Sequence, residues 1–435
     1  MEGTDFLSAY LHYTRDTEPH RVYHRWSAIV AIGAALGRNS YIPFGHTRLY
    51  PNFYCMLLGE PGARKSSAIK LAKNLLSKAG YDKFSADRSS REKFLLDLGG
   101  LEGTDDSVSI GDGQGGGRGA RTRKVDITDK TLWGSSSVED KEPKEVFIVA
   151  DEFNEFVSAG NVDFYTTLGN LWDWHNEDKP YEDKVKNSKS VSIFQPTVSL
   201  LGGNTQENFA RAFPPEILGH GFLSRLLLIH GQPSGRKIAF PEPPPEEDTA
   251  TIIEGFKTIL SFGRREKCQI TEEAKLLLEQ IYLSWREIGD PRFKGYNTRR
   301  YTHLLKLCII TAAAAFSDTI TEHIVVYANT MLSAVEVGMP QSIGEFGKSK
   351  NSDVSHKILS VLNAAVKPVN ARDLWKMVHK DLDRMTALSD ILQSLSAADK
   401  VQYVQGKGWL PKREVVEEAK YVDWSLLSDE ERMML

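Results

Sequence analysis

An unbroken apolar run, Phe53-Tyr54-Cys55-Met56-Leu57-Leu58, stops at Gly59-Glu60-Pro61-Gly62, and the segment after it, Ser66–Lys78, has helical character. A run this apolar reads as a buried strand, and glycines where it passes into a helix let the backbone turn sharply and come close to whatever lies beyond the strand's carboxyl end. A second run, Val146-Phe147-Ile148-Val149-Ala150, has the near-continuous apolar character of a parallel strand covered on both faces. Strands are also expected at Tyr41–Phe44, Val191–Leu201 and Leu226–Ile229. Alternation of such strands with helical segments specifies an α/β fold built on a parallel sheet.

The chain has 435 residues, more than one core usually holds, so two or three domains are expected. Residues 1–48 read as an N-terminal helical region, 49–240 as the sheet-containing core and 241–342 as a helical region entered through Pro241-Glu242-Pro243-Pro244-Pro245. Within the core, 99–144 is glycine-rich and polar, the composition of a disordered or mobile insertion. A hinge over 343–352 leads to residues 353–412, whose order of three helices and two short strands resembles a winged helix-turn-helix. The acidic tail 413–435 reads as a partner-binding segment or a frayed end.

Hydrophobic residues at 41% and charged residues at 26% describe a folded soluble chain. A net charge of -4 excludes global attraction to nucleic acid and leaves that task to local basic surfaces. Three scattered cysteines exclude a disulfide framework or a zinc site, and no segment has the length or flanks of a signal peptide or membrane span. A cytoplasmic location is expected.

The loop Gly59–Ser66 has what a phosphate needs: inward-turning backbone N–H groups and a helix presenting its positive end. Lys65 would reach the β- and γ-phosphates of ATP and the Ser66 hydroxyl would bind Mg²⁺, with Gly59, Gly62, Ala63, Arg64 and Ser67 completing the nucleotide-binding set. Arg64 departs from the usual pattern, which has glycine before the lysine; an arginine at a helix start is expected to take helical angles and turn its charge toward phosphate. Asp151 and Glu152, closing the second apolar run, suit a metal-holding carboxylate and a base that polarises the attacking water. Asn204, after Val198–Gly203, would orient that water, and Arg225, ahead of Leu226-Leu227-Leu228, would be delivered to a neighbouring subunit's γ-phosphate. Turn chemistry is the plain alternative for Asn204 and a surface ion pair for Arg225, with Arg211, Arg299 and Arg300 as rivals.

For DNA, the basic stretch 179–189 offers Lys184, Lys186 and Lys189 to phosphates and Tyr181 as a stacking face, against the alternative of a solvated charged hairpin. The expected recognition helix near Met385–Ala398 carries Asp390 and Gln393 and little positive charge, which favours a protein contact over base reading. The histidines His20, His24, His175 and His303 lack metal-ligand spacing.

Taken with Tyr50-Pro51-Asn52, Arg64-Lys65-Ser66-Ser67, Asp151-Glu152-Phe153 and Gly221-Phe222-Leu223-Ser224-Arg225, residues 15–340 resemble a P-loop ATPase family of phages, prophages and mobile elements related to the helicase half of primase-helicases. The resemblance implies a P-loop NTPase core with a RecA/AAA+-like parallel sheet. It also implies a ring-shaped, hexameric replicative DNA helicase that uses ATP and Mg²⁺ to translocate on single-stranded DNA and unwind forks, in a bacterial host. With about 50 residues ahead of the loop, primase activity is not expected. Two other readings share the same residues: a helicase loader or remodelling ATPase whose winged helix or tail docks replication proteins, and a nucleotide-gated DNA-binding scaffold without hydrolysis.

Overall fold

The computed structural model describes residues 5–100, 142–157, 160–174, 177–183, 190–213, 221–262, 266–343, 354–355, 357–359, 361–362, 367–382, 384–397, 400–411 and 421–435. Most of the glycine-rich stretch, Lys184, Lys186, Lys189, His175, most of the expected hinge and the front of the tail lie outside them.

The chain opens with α1 (Phe6–Tyr13) and α2 (Arg21–Leu36), then the hairpin β1 (Ser40–Phe44) and β2 (Thr47–Leu49). The apolar runs form β3 (Tyr54–Leu58) and β4 (Glu145–Ala150), separated in sequence by α3 (Lys65–Lys78) and α4 (Arg91–Leu98). After β4 come α5 (Phe153–Val157), α6 (Val162–Trp172), the antiparallel pair β5 (Tyr181–Asp183) and β6 (Val191–Ile193), β7 (Thr197–Asn204), α7 (Gln206–Ala212) and β8 (Leu226–His230). Four of these strands make one parallel sheet in the order β4-β7-β3-β8. Its inner strands β3 and β7 are buried at every position, as their composition requires.

The single strand expected over 191–201 is two. Gln195 takes a left-handed φ of +43° and Pro196 has no N–H to offer a ladder, so the chain turns between β6 and β7 and only β7 joins the parallel sheet. The short pairings Glu266–Lys267 with β1 and Gln269–Ile270 with Thr319–Ile320 carry no signal at sequence level; neighbours brought together by the fold create them.

Helix α2 belongs to the core. Val22 through Leu36 are all buried, and Gly33 packs so closely that a Cβ there would meet the Pro51 carbonyl oxygen at 2.4 Å. The helices Glu246–Leu260, Arg300–Ala314 and Glu322–Ser342 share that same core, with Phe6 of α1 edge-on to Phe256. Residues 354–411 bury a second, separate set, including Ile358, Leu374, Leu388, Ile391 and Val401, where helices Ala371–Val378 and Met385–Ala397 precede the antiparallel ribbon Val401–Val404 and Gly408–Pro411.

Where the tail is described it is not frayed. Leu427 is buried, and Glu431 accepts two hydrogen bonds from Arg25 of α2, at 2.6 and 2.7 Å, with both side chains 4% exposed. Among the described residues no helix is long and apolar enough to cross a membrane.

Candidate functional site

Parallel strands end on one edge, so the loops after β3, β4 and β7 meet there. The start of the Gly59 loop is set by Tyr23 of α2, whose hydroxyl lies 2.6 Å from the Gly231 carbonyl and 3.0 Å from that of Leu58, donating between them. Gly59 is there for close approach: a Cβ would sit 2.2 Å from that hydroxyl. Tyr23 stands more than thirty residues upstream of the loop, at a position that read only as part of an N-terminal helix.

Gly62 turns the chain with φ +83°, and Arg64 follows in the left-handed region at φ 61° and ψ 24°. This corrects the expectation of helical angles at Arg64. The position is one glycine fills without cost, and here an L-residue occupies it against a penalty of about 1 kcal/mol. Nor is its charge free for phosphate: Arg64 Nε lies 2.6 Å from Glu18 Oε2, while Glu18 Oε1 accepts from the Ile238 amide at 2.9 Å.

Lys65 opens α3 and folds back over the loop. Its ammonium donates to the carbonyls of Gly59 and Glu60, both at 3.0 Å, and burial pulls its pKa down against the opposing pull of Glu152. Ser66 follows, and Lys70 stands one turn later on the same helix face. Lys70 Nζ lies 2.6 Å from Asp151 Oδ2, so the carboxylate ending β4 reaches that face. Gly203 permits the approach of β7, since a Cβ there would meet the Asp151 carbonyl at 2.7 Å.

Glu152 has its pKa raised by burial first and then by the charges of Asp151 and Glu155, with Lys65 opposing. Phe153 behind it is fully buried and stacked near-parallel with Phe213 and Phe222, which anchors the turn carrying both carboxylates. Asn204, 1% exposed, donates to Asn154 Oδ1 at 2.7 Å, and its own oxygen accepts from the Thr205 amide. Asn154 in turn donates to the Asn208 carbonyl at 2.7 Å. Lys65, Ser66, Asp151, Glu152 and Asn204 therefore share one edge of the sheet. Lys70 and Asn154 join them without having been anticipated, because each acts through a partner on another element.

Arg225 is on the opposite edge. It precedes β8, whose Leu226 pairs with Tyr54 at the start of β3, while Leu58, just before the loop, pairs with His230. Strands of this length separate the edges by roughly 15 Å. Arg225 Nη1 donates to the Gly221 carbonyl at 2.5 Å. Among its rivals, Arg300 is buried and bonded to Glu336, Asn329 and Ser333, and Arg211 pairs with Glu207. Arg299 stays beside Arg225, its Nε donating to Ser224 Oγ at 2.9 Å.

Tyr181, at the base of the β5–β6 hairpin, is half-buried with Trp174 packed edge-on at 5.4 Å. Of the histidines, His24 meets Thr17 Oγ1 at 2.8 Å and His303 the Ser224 carbonyl at 3.2 Å, while His20 Nδ1 caps α2 through the Val22 amide. Among the described residues there is no group of three or more His, Cys, Asp or Glu side chains able to hold a metal. A site of the Mg²⁺–nucleotide kind asks less, one or two carboxylates with phosphate and water, and Asp151 already sits against a cation on the face that carries Ser66. No protein-family model matches the chain, and no curated protein matches its sequence significantly.

Proposed function

We propose that this chain is a P-loop ATPase that works as a ring-shaped, hexameric helicase on single-stranded DNA. One observation carries the reading: the parallel sheet gathers Gly59–Ser66, Asp151, Glu152 and Asn204 on one edge and leaves Arg225 on the other, beyond reach of its own loop. An ATPase that borrows an arginine from its neighbour needs this division, which favours an oligomer over a self-contained monomer.

In the proposed reaction Lys65 leaves the Gly59 and Glu60 carbonyls for the β- and γ-phosphates, which restores a strong partner to a partly buried ammonium. Ser66 and Asp151 would hold Mg²⁺, which neutralises charge on the phosphates when bound. Glu152, its affinity for protons raised by its surroundings, takes the proton of the attacking water as the oxygen bonds to the γ-phosphorus and the bridging bond to the β-phosphate breaks, leaving ADP. Asn204, held by Asn154, orients the water. Arg225 of the adjacent copy faces the charge that builds on the γ-phosphoryl group.

Strand separation rests on the resemblance and on the β5–β6 hairpin, which carries Tyr181 at its base and leads into the lysine stretch. The C-terminal region, with its helix–ribbon order, fits a winged helix used for protein contact. Helix Met385–Ala397 exposes Thr386, Ser389, Asp390 and Gln393, none of them basic. A forked-DNA unwinding assay with the purified chain and ATP tests the function. Unwinding without another protein supports the helicase, whereas hydrolysis stimulated only by a second ATPase or partner protein would replace it with the loader.

A further inference from the structure

The amino edge of the sheet, opposite the phosphate loop, holds a cleft of about 540 Å³. Arg38, Arg48, Arg225, Arg299 and Lys306 line it, and Asp173 is the one carboxylate among the lining residues. Glu177, just outside, takes up Arg48 at 3.1 Å. Asp173 is shared between Lys306 Nζ at 3.4 Å and Arg299 Nη1 at 3.7 Å, so the group is left with excess positive charge. Lys306 is fixed in the floor, 1% exposed and donating to Asn52 Oδ1 at 2.7 Å, and burial brings its pKa down to about 8.

Arg225 and Arg299 lie side by side at this cleft, Arg299 32% exposed against 1% for Lys306. Arg225 keeps one bond to Gly221, and its buried Nε has no hydrogen-bond partner among the described residues. Arg299 comes from a different element and is steered to the same place by Ser224, the residue before Arg225. Two adjacent guanidiniums repel, and Arg299 makes Arg225 easier to deprotonate after burial has done the larger part. An anion of phosphate type, with several oxygens to accept from both forks, relieves that repulsion.

We propose that this cleft is a second anion site, in which Arg299 joins Arg225 to take the terminal phosphate of a nucleotide held in the Gly59–Ser66 loop of a second copy. The inference rests on the ATPase reading and adds to it a second arginine from a different element. Asp173 holds Arg299 in register between turnovers.

The test is subunit mixing with the full chain. Arg299→Ala keeps the phosphate loop and lacks the borrowed arginine; Lys65→Ala has the reverse defect. Each variant alone is expected to hydrolyse ATP at least ~100-fold more slowly than the natural chain, with KM for ATP in Arg299→Ala changed by less than about threefold. Mixed in equal amounts, they are expected to recover at least ~10% of natural activity, because half-complete copies then complete each other's sites. Arg299→Lys keeps charge and packing without the fork and is expected to stay slow and to be rescued likewise, which covers misfolding of the alanine variant. Arg225→Ala is mixed in parallel. Rescue of Arg225→Ala but not of either Arg299 variant overturns the inference and spares the ATPase reading. No hydrolysis by the natural chain overturns both. Full hydrolysis by Arg299→Ala with loss of oligonucleotide binding overturns the inference and assigns the cleft to nucleic acid.

Discussion

The ammonium of Lys70 lies 2.6 Å from Asp151 Oδ2, so the carboxylate proposed to hold Mg²⁺ is paired with a cation of the chain itself. Lys70 is 65% exposed and Asp151 37%, which makes the pair a weak contributor to stability and an easily exchanged one. A metal entering at Asp151 would then compete with Lys70. Lys70→Met is expected to lower the Mg²⁺ concentration for half-maximal hydrolysis by roughly two- to fivefold while shifting unfolding stability by less than about 0.5 kcal/mol. An unchanged or higher Mg²⁺ requirement would show that the pair plays no part in metal entry.

Arg64 sits at a left-handed backbone position where glycine is the unstrained choice. Arg64→Gly relieves about 1 kcal/mol of strain and loses only a solvent-screened ion pair to Glu18, so thermal unfolding should occur at the same or a higher temperature. Arg64→Val, β-branched at positive φ, should unfold earlier, by ~1–2 kcal/mol. A marked loss of stability in the glycine variant would mean that Glu18 contributes more than strain removes.

Glu152 holds a proton more readily than an ordinary glutamate because of its burial and the charges of Asp151 and Glu155. Only the ionised form accepts a proton from water, so hydrolysis should rise with pH through that raised pKa and then level off. Glu152→Gln should reduce kcat by ~10²–10⁴ and remove the acid limb, with ATP binding kept. An acid limb that survives the substitution belongs to another group.

Burial works against the charged form of Glu431, but the hydrogen bonds and charge of Arg25 outweigh it, with Ser428 adding to them, and hold its pKa at about 2 against 4.5 for an ordinary glutamate. A depressed carboxylate stabilises the fold above its unfolded pKa and loses that contribution as pH falls through the folded one. The stability difference between the natural chain and Glu431→Gln should therefore be full above pH 4.5 and decline toward pH 2. At neutral pH the substitution breaks a buried pair and should cost ~3–5 kcal/mol in chemical denaturation. A difference independent of pH would place the effect in packing instead.

How much of this was legible in the sequence follows from where the information resides. β3, β4 and β8 announce themselves because burial on both faces demands apolar residues throughout, and the loop after β3 stands out because its glycines, lysine and serine follow in the order that the proposed phosphate site would require. The break at Gln195–Pro196 has a local signal, a proline inside a strand pattern, but the apolar run on either side outweighs it when the sequence is read alone. Arg64 misled because a left-handed backbone angle is set by the loop's closure and not by the residue that fills it. Tyr23, Asn154 and Lys70 were invisible for another reason: each is defined by a partner on a distant element, and so is the cleft around Asp173, which joins residues from Arg38 to Lys306.

The central claim is that Gly59–Ser66 binds ATP through Lys65, and calorimetric titration of the full chain with ATP and Mg²⁺ tests it most directly. The natural chain is expected to bind, and Lys65→Ala to bind at least ~10²-fold more weakly, because the substitution removes a charged hydrogen bond to the phosphates worth about 3 kcal/mol. Equal affinity in the two chains would contradict the claim.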